Sequence, residues 1–91
     1  MKRLIAYDVS SPGRLYRISR ICSYYGVRVE KSVFECDLGD AKFEEMWQRL
    51  MWTIDEEEDA IIYYPLCESC MRKVRFAGVA SRPKEDKYLI F

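Results

Sequence analysis

The 91-residue chain contains no histidine. That absence removes Ser-His-Asp and Cys-His nucleophilic catalysis, histidine metal ligation and the side chain that most readily exchanges protons near neutral pH. Glycine is scarce, with residues 13, 26, 39 and 78 standing alone, and none precedes a Lys-Ser or Lys-Thr pair, so a phosphate-cradling P-loop is excluded. Apolar runs are no longer than a strand, which argues against a membrane span. Met1 is followed at once by Lys2 and Arg3 without an extended apolar segment, so no secretory signal is expected and cytoplasmic residence is the default. Net charge is also lacking, at zero with 15 basic and 15 acidic residues.

A hydrophobic share of 49% with 33% charged residues is an ordinary globular balance, and the length allows a single core. The neutral total hides a strong asymmetry. Residues 1–34 hold seven Lys/Arg against two acids, residues 35–59 two against ten, and residues 60–91 six against three. A phosphate-binding patch is a local property, so either basic region could form one.

Residues 4–8, Leu-Ile-Ala-Tyr-Asp, read as a central strand covered on both faces, because the apolar residues run without polar alternation. Ser11-Pro12 supplies an N-cap hydroxyl and a proline at the first helical position. Leu15, Ile18, Cys22 and Tyr25 then form the apolar stripe of a helix that stops at Gly26. Residues 27–38 read as a long strand whose apolar phase switches near 31–33, where it can fold back and count as two. Phe43, Met46, Trp47, Leu50, Met51 and Ile54 carry helical spacing after Gly39-Asp40. Five consecutive acids at 55–59 predict a solvated loop, since clustered like charges resist burial. Residues 60–64 form another apolar strand, stopped by Pro65, and residues 74–76 a shorter one.

These elements add up to an α+β fold, a ferredoxin-like βαββαβ sandwich with an antiparallel sheet. Residues 1–80 form the domain, and residues 81–91 a polar linker with a C-terminal strand that docks on a sheet edge. Two helices cover one face of such a sheet, so the other needs a cover, and a homodimer is the expected solution.

Four cysteines stand at 22, 36, 67 and 70. Without an export signal they read as thiols. Cys67-Glu-Ser-Cys70 is a CxxC, but a closed zinc site needs two further ligands, and a turn with two thiols is the preferred reading. The aromatic strand motif of an RNA-recognition domain is absent, although that domain shares the topology.

Asp8 has two readings. As a strand-end aspartate it can accept N–H groups from Ser10 or Ser11 in an Asx turn. If a twofold axis passes near that strand end, two copies of Asp8 approach each other and either share a proton or bind a cation, for which magnesium is suited. Arg14, Arg17 and Arg20, interleaved with tyrosines on a helix without acids, would then hold phosphates, in preference to serving as a merely solvated face.

Tyr7-Asp8-Val9-Ser10, the following Arg14 and Arg17, Tyr25-Gly26, Ser32-Val33-Phe34-Glu35 and Tyr64-Pro65-Leu66-Cys67 occur in this order over most of the chain. Together they resemble the CRISPR-associated Cas-two family. The resemblance implies a ferredoxin-like homodimer that joins the Cas-one integrase in capturing new spacers and binds nucleic acid, DNA or RNA. It also implies a divalent-metal endonuclease activity found in some members, with Asp8 as catalytic and metal-binding residue. Ser10, Arg14, Arg17 and Arg20 in the adjoining loop and helix, with Phe34 as the motif's aromatic, are the nucleic-acid-binding candidates. Glu30 departs from the pattern, standing where many members carry glutamine. A carboxylate there repels phosphate, so pairing with a nearby arginine is expected.

Three functions remain open on the sequence: a non-catalytic platform in spacer acquisition, a magnesium-dependent phosphodiesterase acting through paired Asp8 residues, and a dimeric small-molecule sensor. The last predicts no affinity for DNA or for the integrase.

Overall fold

The computed structural model describes residues 2–75. Its elements run β1 (Lys2–Asp8), α1 (Pro12–Tyr25), β2 (Val27–Glu30), β3 (Val33–Asp37), α2 (Asp40–Thr53), β4 (Ala60–Leu66) and α3 (Glu68–Arg72). The four strands form one sheet in the order β2-β3-β1-β4, with every pairing antiparallel. This is the expected βαββαβ arrangement, and β1 is central in it.

The local chemistry explains the boundaries. Ser11 caps α1 through its hydroxyl, which accepts from the Arg14 N–H, and Pro12 occupies the first turn. At the far end Gly26 has an extended backbone, with φ −155°, so conformational freedom is not what requires glycine there. A Cβ at this position would lie 2.5 Å from the Glu35 carbonyl oxygen and 2.6 Å from Cys36 Sγ. The absence of a side chain lets the start of β2 close against β3.

The phase switch near residues 31–33 is a two-residue turn. Glu30 pairs with Val33, and a register shift lies between Arg28 and Glu30. The Glu30 carboxylate accepts from the Lys31 backbone N–H, so it serves the turn rather than an arginine.

Burial in β1 alternates. Arg3, Ile5 and Tyr7 are buried, whereas Leu4 and Ala6 are half-buried and Asp8 is exposed. Within the described residues the helices cover one face of β1, and the other, for which a second copy is the expected cover, is half-buried. Ile5, Phe34 and Cys36 of the sheet pack against Ile18 and Cys22 of α1 and Met46 and Leu50 of α2, all fully buried. The opposite face presents Leu4, Ala6, Ile62 and Tyr64, neighbours by register, and Ile62 and Tyr64 remain 48% and 47% exposed.

Three further boundaries differ from the sequence reading. β4 does not stop at Pro65 but runs through it to Leu66, with Pro65 opposite Arg3. Among the described residues β4 is an edge strand, where a proline's missing N–H need not break a ladder on both sides. Residues 68–72 form a short helix, and Val74 and Arg75 have no strand structure. Phe76 and the C-terminal strand expected within residues 81–91 lie outside the described residues. Among the described residues, no helix is long and apolar enough to cross a membrane.

Arg3 is an unanticipated core element. It sits 3% exposed, with its guanidinium 4.3 Å from the Phe43 ring centroid and 5.6 Å from that of Tyr63. It donates to the Tyr63 hydroxyl at 2.8 Å and to Asp40 Oδ1 at 2.7 Å. A buried cation is tolerable because it is both paired and stacked on aromatic faces.

Candidate functional site

β1 carries Asp8 to the end of the sheet, where it pairs in register with Ala60. Its side chain is exposed and shares the strand parity of Leu4 and Ala6, so it belongs to the bare face of the sheet. Beside it is an open cleft of about 260 Å³ lined by Tyr7, Asp8, Leu15, Ser19, Arg28 and Lys31. The Tyr7 hydroxyl and Ser19 Oγ are hydrogen-bonded at 2.8 Å, which ties the strand end to α1 beneath the cleft.

The remaining candidates divide. Arg17 and Arg20 are exposed on α1, and the Arg20 guanidinium lies 5.9 Å from the Tyr16 ring centroid. Both can meet a phosphate. Arg14 is committed elsewhere. Its Nε donates to Asp59 Oδ2 at 2.8 Å, and one terminal nitrogen donates to Asp59 Oδ1 at 3.2 Å and Glu58 Oε1 at 3.1 Å. Ser10 joins the same knot, its N–H donating to Asp59 Oδ1 and its hydroxyl to Glu58 Oε1, each at 3.2 Å.

The acidic run is thus only partly a solvated loop. Glu56 and Glu57 are exposed, but the Asp59 side chain is fully covered and also accepts from the Asp55 N–H at 2.9 Å. The Arg14 guanidinium foremost, and then the N–H groups of Asp55 and Ser10, hold its carboxyl well below the usual carboxylate range. Arg14 and Ser10 therefore fix the loop that follows Asp8 and the loop that precedes β4. Arg14 and Ser10 thus spend their polar groups on Glu58 and Asp59 in the loops on either side of the strand pair that bears Asp8.

Phe34 is fully buried and its ring lies 6.2 Å from that of Tyr7 in a stacked arrangement, so it has no face free for a base. Its effect on the cleft is indirect. The Arg28 guanidinium lies 4.9 Å from the Phe34 ring centroid and donates to the Lys31 carbonyl oxygen at 2.5 Å. Arg28 and Lys31 are cleft cations that the sequence reading did not select. Their signal was available in the basic excess of residues 1–34, but only the hairpin turn shows that they approach Asp8.

A magnesium ion takes hard oxygen ligands and is commonly held by one or two carboxylates with retained waters. Among the described residues, no three His, Cys, Asp or Glu side chains gather to hold a metal. The donor type at Asp8 suits magnesium, but a single chain offers one carboxylate there, because Glu58 and Asp59 are bound to Arg14 and Ser10. A second carboxylate would have to come from a second copy.

The family model described as CRISPR associated protein Cas2 matches residues 1–74. The chain is 40% identical over 81 residues to a CRISPR-associated endoribonuclease Cas2 of Moorella thermoacetica, with 84% of each chain covered. It is 37% identical over 93 residues to the CRISPR-associated endonuclease Cas2 of Halalkalibacterium halodurans, with 97% of each covered. In structure it is similar to Streptococcus pyogenes Cas2, with a TM-score of 0.78 and 38% identity over 86% of this chain and 100% of that one. Sequence and architecture agree over the segment that bears Asp8, the cleft and the Arg14–Asp59 knot, and the chain is a member of the CRISPR-associated Cas2 family.

Proposed function

We propose that the protein acts in CRISPR adaptation as a dimeric platform that binds nucleic acid together with the Cas-one integrase. The observation that carries this reading is the bare sheet face, where Leu4, Ala6, Ile62 and Tyr64 form an apolar surface beside Asp8. Exposed apolar surface of this kind favours a self-complementary twofold contact. A copy docked there covers the sheet and leaves α1, with Arg17 and Arg20, free to meet phosphate backbones.

The same geometry favours a second reading, a magnesium-dependent phosphodiesterase. Asp8 shares the parity of the docking surface, so association through that surface brings two Asp8 carboxylates toward each other. Such a pair would hold magnesium, which would offset charge on a phosphodiester and lower the pKa of a bound water. Arg28 and Lys31 would orient the phosphate in the cleft, and Tyr7 and Ser19 would shape its floor. The names of the relatives, endoribonuclease and endonuclease, also support this reading.

The Asp8→Ala variant separates the two. Spacer acquisition in cells and magnesium-dependent cleavage of RNA and DNA are measured on the same variant. The platform reading expects acquisition to persist, and loss of acquisition in a folded, dimeric Asp8→Ala protein would overturn it. The phosphodiesterase reading expects cleavage to vanish, and unchanged cleavage would remove it.

A further inference from the structure

The CxxC after β4 takes no part in either reading. Cys67 and Cys70 are both exposed, and their sulfurs lie 3.3 Å apart. Ser69 Oγ is 3.1 Å from the Cys67 sulfur. Among the described residues no third or fourth ligand stands with them, so a closed metal site is not formed within the chain. The other two cysteines are different in kind. Cys22 and Cys36 are fully buried among apolar side chains, and burial pushes their thiols up to about 12 and about 11.

We propose that Cys67 and Cys70 form a reversible dithiol–disulfide site that exchanges with low-molecular-weight disulfides. Cys67 is the attacking sulfur and Cys70 the resolving one. Two accessible sulfurs in contact need little rearrangement to join, Cys67 lying at the exit from β4 and Cys70 on the short helix that follows. Hydrogen bonding with Ser69, and then with the backbone and thiol of Cys70, brings the Cys67 thiol down to about 7. The same neighbouring sulfur pushes Cys70 up. An attacking thiol is most effective when its pKa is near the ambient pH, because thiolate fraction and nucleophilicity are then balanced.

The exchange balances in two steps. The Cys67 thiolate attacks one sulfur of the small disulfide, forming a mixed disulfide and releasing one small thiolate. Cys70, losing its proton, attacks the Cys67 sulfur and expels the second. The protein loses two hydrogens, and the small disulfide is reduced to two thiols.

The test incubates the full chain at pH 7 in graded mixtures of reduced and oxidised glutathione, followed by acid quench, alkylation and mass spectrometry of peptides. A Cys67–Cys70 disulfide should form and be reversed by excess reduced glutathione, while Cys22 and Cys36 remain alkylatable thiols after unfolding. Cys70→Ser should accumulate glutathione on Cys67, and Cys67→Ser should take up at least tenfold less on Cys70. Both positions are exposed, so the variants should keep the native circular dichroism spectrum. The proposal is overturned if the native chain forms no internal disulfide across the series, if Cys67→Ser is modified as fast as Cys70→Ser, or if the pair alkylates only after a chelator removes a bound metal.

Discussion

Asp59 shows how a single side chain can change the meaning of its neighbourhood. Its carboxyl is depressed, with Arg14 as the main cause, so the sign of its effect on stability is fixed. The contribution is fully present above the unfolded carboxylate pKa of about 3.9 and is lost as pH falls from there toward the lower folded value. Asp59→Asn should therefore lower stability at pH 7 and flatten the acid limb of a stability profile below about pH 4, as measured by urea titration at a series of pH values. Phe34 gives the converse lesson. Phe34→Ala should cost about 3–5 kcal/mol and lower the urea midpoint, while the fraction that remains folded keeps its nucleic-acid affinity. A Phe34 that stacked on bases would show the opposite pattern. Arg17 and Arg20 are free to touch phosphate, and reversing both to glutamate should reduce the slope of log affinity against log salt by about 2.

The elements were largely legible because each carries a local cause. Ser11-Pro12 marks a helix start wherever it lies, and residues 43–54 repeat with a helical period that few other structures satisfy. The centrality of β1 followed from its apolar content. What stayed hidden depended on partners far along the chain. Arg14 and Asp59 lie 45 residues apart, and neither a basic helix face nor an acidic run announces that one will cover the other. Arg3 looked like a flanking charge, since Phe43 and Tyr63, which stack on it, belong to other elements. Phe34 occupies a motif position that reads as functional, and only its pairing opposite Ile5 places it in the core. Pro65 reads as a stop because sequence does not reveal that β4 lies at the sheet edge among the described residues. Gly26 makes an element-scale prediction: Gly26→Ala forces a Cβ against β3 and should destabilise by about 1–3 kcal/mol, visible as a lower thermal midpoint without loss of helix signal in the folded state.

At the scale of the whole molecule, the unequal faces of the sheet are what a proposed association would use. One face is filled by α1 and α2, and the other leaves Ile62 and Tyr64 half-exposed. Tyr64→Glu places a charge in the centre of that surface and should convert a dimer into a monomer in sedimentation at micromolar concentration, with the circular dichroism spectrum unchanged. If the sedimentation coefficient is that of a monomer before any substitution, the bare face has another use.

The Arg14–Asp59 knot also bears on time. It joins the loop after β1 to the loop before β4, and closing so long a stretch of chain carries an entropic cost that favours late formation. Interactions that form after the rate-limiting step leave refolding almost untouched and act on the reverse rate. Arg14→Ala should therefore hasten unfolding severalfold in stopped-flow measurements while the refolding limb stays in place. On that outcome the pair acts as a latch on the lifetime of the folded state.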